Sequence, residues 1–181
     1  FNPIVQCGVQ PTRRVGVVGI GGLGHMALQF LHAWGCHVTA FTSNPSKADE
    51  ARKLGADQVV SSQSPEAIRS LGPALDFILV TANAALDWDA YLSVLRPRGR
   101  LHFVGAVLQP VSVPVFALLG AQKSVSASPL GSPATVRRML EFAARHQLAP
   151  KVETPPLSRV NEALAKLETG KPAHRLVLVP G

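Results

Sequence analysis

Short apolar runs alternate with amphipathic segments along most of the chain. Runs rich in apolar residues at 15–18, 37–41, 57–60, 76–80, 100–105 and 124–128 predict six strands. Apolar residues at steps of three and four predict intervening helices at 23–34, 45–54, 65–71, 88–95 and 135–146, the last capped by Ser132. Because each connection is long enough for a crossover, the pattern predicts an α/β fold with a doubly wound, parallel six-stranded sheet.

The pattern changes near residue 150, where Pro150, Pro155 and Pro156 interrupt the alternation. The remaining residues predict a strand, a helix at 158–169 and a strand at 175–179. We therefore expect a main domain at residues 1–150 and a small strand–helix–strand appendage at 151–181.

Composition narrows the class of protein. The 181 residues are 46% hydrophobic, which is enough for a sizeable core, and no uninterrupted apolar stretch predicts a membrane span. The net charge of +7 comes from scattered basic residues, with one short cluster, RPRGR at 96–100, expected in a turn. Nucleic-acid binders usually concentrate such charge on one face, so we do not expect nucleic-acid binding. Two distant cysteines, Cys7 and Cys36, indicate no disulfide framework and favour a reducing cytoplasm.

Four glycines within residues 19–24 lie between the first predicted strand and the first predicted helix. Gly19, Gly21 and Gly24 fit the spacing G-x-G-x-x-G. In that motif the first glycine permits a tight turn, the second lets a pyrophosphate approach the backbone, and the third lets the helix pack closely on the sheet. The motif predicts a dinucleotide-binding Rossmann fold. Two alternatives remain open: a glycine-rich turn without a ligand, and an adenosylmethionine-dependent methyltransferase.

The end of the second strand bears on the type of dinucleotide. A site selective for NAD expects Asp or Glu there, to bind the ribose 2′-hydroxyl, whereas this chain has Thr42, Ser43 and Asn44, followed by Lys47. A cation in the first turn of a helix opposes the helix dipole, and a bound 2′-phosphate would relieve that repulsion. We therefore expect NADP. In the alternative interpretation, Ser43 and Asn44 only cap the next helix and Lys47 points to water.

The last three strands end at positions that can complete such a site. Ligands of doubly wound sheets bind outside the carboxyl ends of the strands. We therefore expect backbone groups of Val104, Gly105 and Ser128 to lie near the nicotinamide end of a dinucleotide.

The segment at residues 8–60, with GIGGLGHMA, K..E.A..LGAD and later LRPRGRLHFVGA, resembles the coenzyme domain of the zinc-dependent medium-chain alcohol dehydrogenases, and most closely their cinnamyl-alcohol-dehydrogenase-like branch. The resemblance implies NADP-linked interconversion of alcohols and aldehydes, in which zinc polarises the carbonyl oxygen and the nicotinamide transfers a hydride. It also implies a homodimer formed through the sixth strand, at residues 125–127. The residues that would bind the cofactor are Gly19, Gly21, Gly22, Leu23, Gly24, Thr42, Ser43, Asn44, Lys47, Thr81, Val104, Gly105 and Ser128.

The chain departs from this family in lacking the constellation of zinc ligands, so we expect no metal site and no catalytic residue within it. Zinc is expected only in a full-length enzyme, and the chain alone is expected to be inactive. His25 and His102 are interpreted as packing or structural residues. Residues 151–181 are expected to belong to a missing catalytic domain and to be poorly anchored alone. Two other functions remain open: a nucleotide-binding sensor or regulatory module without chemistry, and a zinc-free reductase of the quinone type.

Overall fold

The structure is a computed structural model that describes residues 1–168 and 175–180. Its main sheet contains six strands: β1 (Arg14–Val18), β2 (His37–Thr42), β3 (Gln58–Ser61), β4 (Leu75–Val80), β5 (Leu95–Phe103) and β6 (Ser124–Ala127). All neighbouring strands are parallel, in the order β3-β2-β1-β4-β5-β6. This order is that of a Rossmann sheet, and it confirms the predicted fold class.

Helices precede, separate and follow these strands, and all but the first and the sixth agree with the predicted alternation. They are α1 (Asn2–Gln6), α2 (Gly24–Ala33), α3 (Ala48–Lys53), α4 (Pro65–Arg69), α5 (Trp88–Ser93), α6 (Val115–Leu119) and α7 (Pro133–Arg145). A 3₁₀ turn at Pro45–Lys47 precedes α3. The Ser132 hydroxyl caps α7 by accepting a hydrogen bond from the Thr135 amide, as predicted. No helix within the described residues is both long enough and apolar enough to cross a membrane.

Buried side chains of the central strands belong to two separate hydrophobic cores. Val15 and Val17 of β1 belong to one core, together with residues of α1 and α2. Val18 belongs to the other core, together with residues of α4 and α5. Successive side chains of a strand point to opposite faces, so this division shows that helices cover both faces of the sheet.

The RPRGR cluster is not in a turn, and that expectation was wrong. Residues 96–100 belong to β5, which begins at Leu95, five residues earlier than predicted, so that α5 ends at Ser93. The pairing of β5 with β4 is irregular, because Leu75 pairs with Leu95 whereas Phe77 pairs with Arg100. The extra residues include Arg98, which adopts a left-handed conformation (φ 62°) and donates its amide hydrogen to the Ala121 carbonyl. Such a bulge depends on a neighbouring chain segment, which local periodicity does not show.

Residues 149–181 form a second compact unit, distinct from the unit at 1–148. It contains β7 (Val152–Glu153), a 3₁₀ turn at Leu157–Arg159, α8 (Val160–Glu168) and β8 (Arg175–Leu176). Strands β7 and β8 pair in parallel, so the appendage has the predicted strand–helix–strand order. Thr169, the last residue of the predicted helix, and residues 170–174 and 181 of the predicted segment lie outside the described residues.

Replacement of Tyr91 by Phe is expected to raise the free energy of unfolding by about 1 kcal/mol. Within the described residues, the Tyr91 hydroxyl is buried and has no hydrogen-bond partner. Phenylalanine removes this unsatisfied group and keeps the edge-on contact with the Phe41 ring, whose centroid lies 5.2 Å away. Urea denaturation of both proteins checks this. Tyr91→Leu, which loses the ring contact, should destabilise the protein, and destabilisation by Tyr91→Phe would contradict the prediction.

Candidate functional site

The three motif glycines occupy distinct environments at the carboxyl end of β1. Gly19 has a φ of 90°, which favours glycine, and its amide donates to the Phe41 carbonyl over 2.9 Å. A Cβ atom on Gly24 would lie 1.9 Å from the Gly19 carbonyl oxygen, so the turn and the first residue of α2 can approach only without a side chain. A Cβ on Gly21 would meet no described atom within 4 Å. Gly19 and Gly24 therefore build the turn, whereas the space beside Gly21 is open.

The start of α2 has the properties of an anion-binding site. Leu23 is the N-cap residue, and no side chain in the described part of the chain caps this helix end. The first N–H groups of a helix have no carbonyl partner within it, and they attract an anion together with the helix dipole. The His25 amide donates to the Gly21 carbonyl oxygen over 3.0 Å, so an anion placed against Gly21 would meet an open surface and the positive end of the dipole of α2.

Thr81 and His25 brace the glycine turn from two sides. The Thr81 hydroxyl lies 2.7 Å from the Gly19 carbonyl oxygen, to which it donates, and 3.1 Å from the Val18 carbonyl oxygen. The His25 side chain is fully buried, and its Nδ1 lies 3.2 Å from the Gly21 carbonyl oxygen. His25 is therefore a packing residue, as expected. Thr81, expected among the cofactor-binding residues, also fastens the turn to β4, which the sequence did not indicate.

At the end of β2, most polar groups serve the local backbone. Asn44 caps the 3₁₀ turn, since its side-chain oxygen accepts from the Ser46 amide at 3.0 Å. The Thr42 hydroxyl accepts from the Asn44 amide at 3.2 Å. Lys47 does not simply point to water, because its Nζ donates to the Ile20 carbonyl oxygen over 3.2 Å. The capping interpretation thus holds for Asn44, whereas Lys47 reaches across to the glycine turn.

A first cavity lies between the glycine turn and the end of β2. Its volume is about 240 Å³. It is lined by Val18, Gly19, Ile20, Gly21, Thr42, Ser43, Asn44, Lys47, Ser62, Ala82, Ala84 and Leu86. The fold therefore brings six of the residues proposed from sequence to one cavity, with the Lys47 ammonium group at its wall.

A second, larger cavity of about 630 Å³ lies beyond the ends of β4, β5 and β6. Its wall includes four further residues proposed from sequence, Leu23, Thr81, Val104 and Ser128. Most of the remaining wall is apolar and comes from α1, α2 and α7. Of the proposed residues, Gly22, Gly24 and Gly105 line neither cavity. Gly105 instead permits close packing, because a Cβ there would lie 2.7 Å from the Ala82 carbonyl oxygen.

The backbone amides near this larger cavity are used within the sheet. The Val104 and Gly105 amides both donate to the Val80 carbonyl oxygen, and the Ser128 amide donates to the Phe103 carbonyl oxygen, all at 3.0–3.1 Å. At these three residues a ligand would therefore meet carbonyl oxygens and side chains rather than amide hydrogens. That their backbone groups lie near the nicotinamide end stays a prediction, limited to their carbonyl oxygens.

His102 lies at the centre of a buried polar cluster that the sequence analysis missed. Its Nε2 lies 2.8 Å from the Ser128 hydroxyl, and its Nδ1 lies 2.8 Å from the Ser126 hydroxyl and 3.5 Å from the Cys7 sulfur. Burial, and to a lesser extent the nearby Arg100, lowers the pKa of His102. The spacing of Ser126 and Ser128, two positions apart, was the signal that both side chains lie on one face of the sheet. The sequence does not show that His102 is their partner, which follows from its pairing in register with Ser126.

The described residues bring together no group of three or more His, Cys, Asp or Glu side chains that could hold a metal ion. The two cysteines are free thiols, Cys7 half-buried and Cys36 buried. The donor set of these residues therefore does not fit a zinc site, and we assign no metal-dependent step to them.

Known proteins are similar to this chain in both sequence and fold. The zinc-binding dehydrogenase family matches residues 22–145. The aldehyde reductase AdhA of Synechocystis sp. is 52% identical over 178 residues, which are 98% of this chain and 53% of that protein. The chain spans about half the length of the curated relatives it matches.

Two solved structures place the same architecture in cinnamyl alcohol dehydrogenases. SbCAD4 from Sorghum bicolor has a TM-score of 0.93 at 35% identity, over 98% of this chain and 51% of that one. The CAD from Helicobacter pylori, solved with NADP(H), has a TM-score of 0.83 at 28% identity, over 98% of this chain and 50% of that one. The family match covers more than half of the chain, and it includes the start of α2 and the ends of the strands from β2 to β6. The chain therefore belongs to the zinc-binding dehydrogenase family.

Proposed function

We propose that this chain binds NADP and is the coenzyme-binding part of an NADP-dependent, zinc-containing alcohol dehydrogenase. The observation that carries the proposal is the open surface beside Gly21, with the Lys47 ammonium group held at the Ile20 carbonyl oxygen on the same turn. The pyrophosphate would lie against Gly21, Gly22 and the start of α2, as in other Rossmann folds. The aldehyde reductase and the NADP(H)-bound CAD among its relatives support this choice.

The two cavities divide the dinucleotide between them. The smaller one, with Thr42, Ser43 and Lys47 in its wall, would receive the adenosine ribose and its 2′-phosphate. The larger one, with Thr81, Val104 and Ser128, would receive the nicotinamide end, because apolar walls exclude water from a hydride donor. When bound, the nicotinamide exchanges a hydride with an alcohol or aldehyde carbon.

The domain organisation proposed for the enzyme follows its longer relatives, of which this chain spans about half. We propose that residues 1–150 are the NADP-binding domain, and that residues 151–181 belong with a catalytic domain that supplies the zinc ligands. The chain alone would then bind the coenzyme without turning over substrate, in the cytoplasm. A sensor module without chemistry is not favoured, because the named relatives are reductases and dehydrogenases.

We also propose that the protein forms a homodimer through β6. This strand is at the edge of the sheet, paired with β5 on one side only among the described strands. An edge strand presents unpaired backbone groups, and pairing with a second copy would satisfy them. The apolar side chains of α6 support the proposal, since Val115, Phe116 and Leu119 are all exposed.

Lys47→Ala is expected to weaken NADPH binding about tenfold and to leave NADH binding unchanged. An ammonium group has three donors, and in Lys47 the Ile20 carbonyl oxygen uses one of them. The others can bind a 2′-phosphate, and a charge-assisted bond of this kind contributes roughly 1.5–3 kcal/mol. Calorimetric titration of the chain with NADPH and with NADH measures both affinities.

Lys53→Ala is the matched control, because it removes the same charge from the other end of α3. Lys53→Ala should change the affinities for NADPH and NADH by no more than about twofold, since salt screens an exposed charge at the far end of α3. Equal weakening of NADPH and NADH by Lys47→Ala would show that Lys47 does not recognise the 2′-phosphate. Failure of the unaltered chain to bind either nucleotide would contradict the proposed function of the isolated chain.

A further inference from the structure

A third cavity lies near the amino ends of β1 and β4, at the edge of the sheet opposite the glycine turn. Its volume is about 400 Å³. Its wall contains three arginines, Arg13, Arg98 and Arg100, and one acidic residue within the described chain, Asp76. Ligands of doubly wound sheets usually bind at the carboxyl ends of the strands. This arginine-lined cavity is therefore separate from the two cavities proposed for the dinucleotide.

The irregular start of β5, which contains the RPRGR cluster, builds one side of the arginine-lined cavity. From the pair Leu75–Leu95 to the pair Phe77–Arg100, β4 advances by two positions and β5 by five. The extra residues leave the regular ladder and bring Arg98 to the cavity wall, with its backbone in the left-handed conformation. The bulge therefore adds a second guanidinium group to a wall that already holds Arg100.

The carboxylate of Asp76 is already used by its neighbours. It lies 3.2 Å from the Arg13 guanidinium and 3.5 Å from the Arg96 guanidinium. It also accepts a hydrogen bond from the Arg14 amide at 2.8 Å. Two cations thus share one negative charge, so Asp76 does not neutralise the other arginines of the wall.

Arg98 and Arg100 have no carboxylate partner within the described residues, and each uses its Nε–H group for a neutral acceptor. Arg98 donates to the Gln122 side-chain oxygen over 3.3 Å, and Arg100 donates to the Ser124 hydroxyl over 3.2 Å. A guanidinium carries further N–H groups on its two terminal nitrogens, and no described group accepts from these. The Nε bonds restrain both guanidinium planes, so less side-chain entropy is lost when an anion binds.

We propose that the arginine-lined cavity binds a small organic phosphate through Arg98 and Arg100, independently of the dinucleotide. A phosphate monoester carries a charge of roughly −1.5 to −2 at pH 7, which offsets the repulsion between two cations. Its three oxygens accept charge-assisted, often bidentate bonds from guanidinium groups. A carboxylate, with one charge and two oxygens, matches a single guanidinium. The cavity is as large as other small-molecule sites, and the buried Val9 and Phe77 offer apolar contact to a short carbon chain.

Calorimetric titration with inorganic phosphate, in sodium chloride of matched ionic strength, tests the proposal. Arg98→Gln and Arg100→Gln should each weaken phosphate binding about tenfold, the loss expected for one charge-assisted interaction. Arg137→Gln is the matched control, because it removes the same charge from an exposed position on α7 and should leave the affinity unchanged. Phosphate bound at the glycine turn would respond to none of these variants. Succinate, a dicarboxylate of similar charge, should bind more weakly than phosphate.

Cys7 reports directly on occupancy of the cavity, because it is half-buried in the cavity wall. N-ethylmaleimide is an uncharged thiol reagent, so the loss of an arginine does not change its attraction to the protein. At a phosphate concentration about ten times Kd, alkylation of Cys7 should slow about tenfold, because only the unoccupied fraction reacts. Arg98→Gln should lose most of this protection. Cys36 is the internal control and should not react, because it is buried and burial raises its pKa to about 11.

Three results would overturn the proposal. Phosphate binding that Arg98→Gln and Arg100→Gln both leave intact would place the anion elsewhere on the surface. Equal rates of Cys7 alkylation with and without phosphate would show that the cavity does not bind it, and tighter binding of succinate would show that the ligand class is wrong. Should Arg100→Gln fail to fold, the exposed Arg98 decides the question. The NADPH titrations are separate, so either proposal can fail without the other.

Discussion

Gly24→Ala is expected to lower the free energy of unfolding by about 3 kcal/mol, the upper end of the usual cost of overpacking. The new Cβ would lie 1.9 Å from the Gly19 carbonyl oxygen and 3.0 Å from the Thr81 hydroxyl oxygen. A backbone carbonyl cannot rotate away as the tip of a side chain can, so the turn and α2 must separate. Alanine has a helix propensity about 1 kcal/mol better than glycine, which is too little to offset this clash. Loss of nucleotide binding should follow, because residues of the turn line the smaller cavity.

Gly120→Ala is the matched control for Gly24→Ala. Gly120 has a φ of −59°, and a Cβ there would meet its nearest atom, the Phe116 carbonyl oxygen, at an ordinary 3.5 Å. This variant should be as stable as the unaltered protein or more stable by about 0.5 kcal/mol, because alanine restricts the unfolded chain. Urea denaturation followed by tryptophan fluorescence compares the two. Similar stability of Gly24→Ala and Gly120→Ala would contradict the close approach at Gly24.

Gly21→Ala is expected to weaken NADPH binding by at least about 100-fold without lowering stability. No described atom lies within 4 Å of the Cβ position, and the φ of Gly21 lies outside the left-handed region, so the fold accommodates the methyl group. The methyl group would occupy the surface that the pyrophosphate must approach. Displacement of the phosphates would weaken two charge-assisted hydrogen bonds of roughly 1.5 kcal/mol each, which together correspond to more than 100-fold in affinity.

Calorimetric titration and urea denaturation of Gly21→Ala, with Gly120→Ala again as the control, check this prediction. The two glycine variants should therefore separate the two roles of the motif. Gly24→Ala should lose stability and binding together, whereas Gly21→Ala should lose binding alone. Tight NADPH binding by Gly21→Ala would show that the open surface beside Gly21 is not the phosphate site.

Local pattern was sufficient for most of the main domain. Six strands, the cap at Asn44 and the cap at Ser132 follow from periodicity and from side chains that bond to nearby amides. The short helices α1 and α6 were not predicted, because five residues carry too little periodic signal to separate a helix from an irregular segment. The start of β5 was missed for a related reason, since its bulge is held by the Ala121 carbonyl.

The candidate site also contains features that the local sequence predicted and features that depend on distant contacts. The spacing of Gly19, Gly21 and Gly24 predicted the turn that the structure contains, whereas the choice of NADP from the absence of an acid after β2 stays a prediction. The contact of Lys47 with Ile20 joins residues 27 positions apart, and the contact of His102 with Ser128 joins residues 26 positions apart. Local sequence does not identify the partner in either pair, because each contact depends on which strands become neighbours in the sheet.

By itself, the sequence determined the succession of strands and helices, the glycine turn and the residue types available at the strand ends. These features depend on interactions within a few positions along the chain, where backbone conformation and side-chain period act directly. Only the tertiary structure decided that Thr81 braces the turn, that the amides of Val104, Gly105 and Ser128 are already used, and that His102 lies between two serines. The physical reason is that parallel strands join residues distant in sequence, so their partners depend on strand order and register.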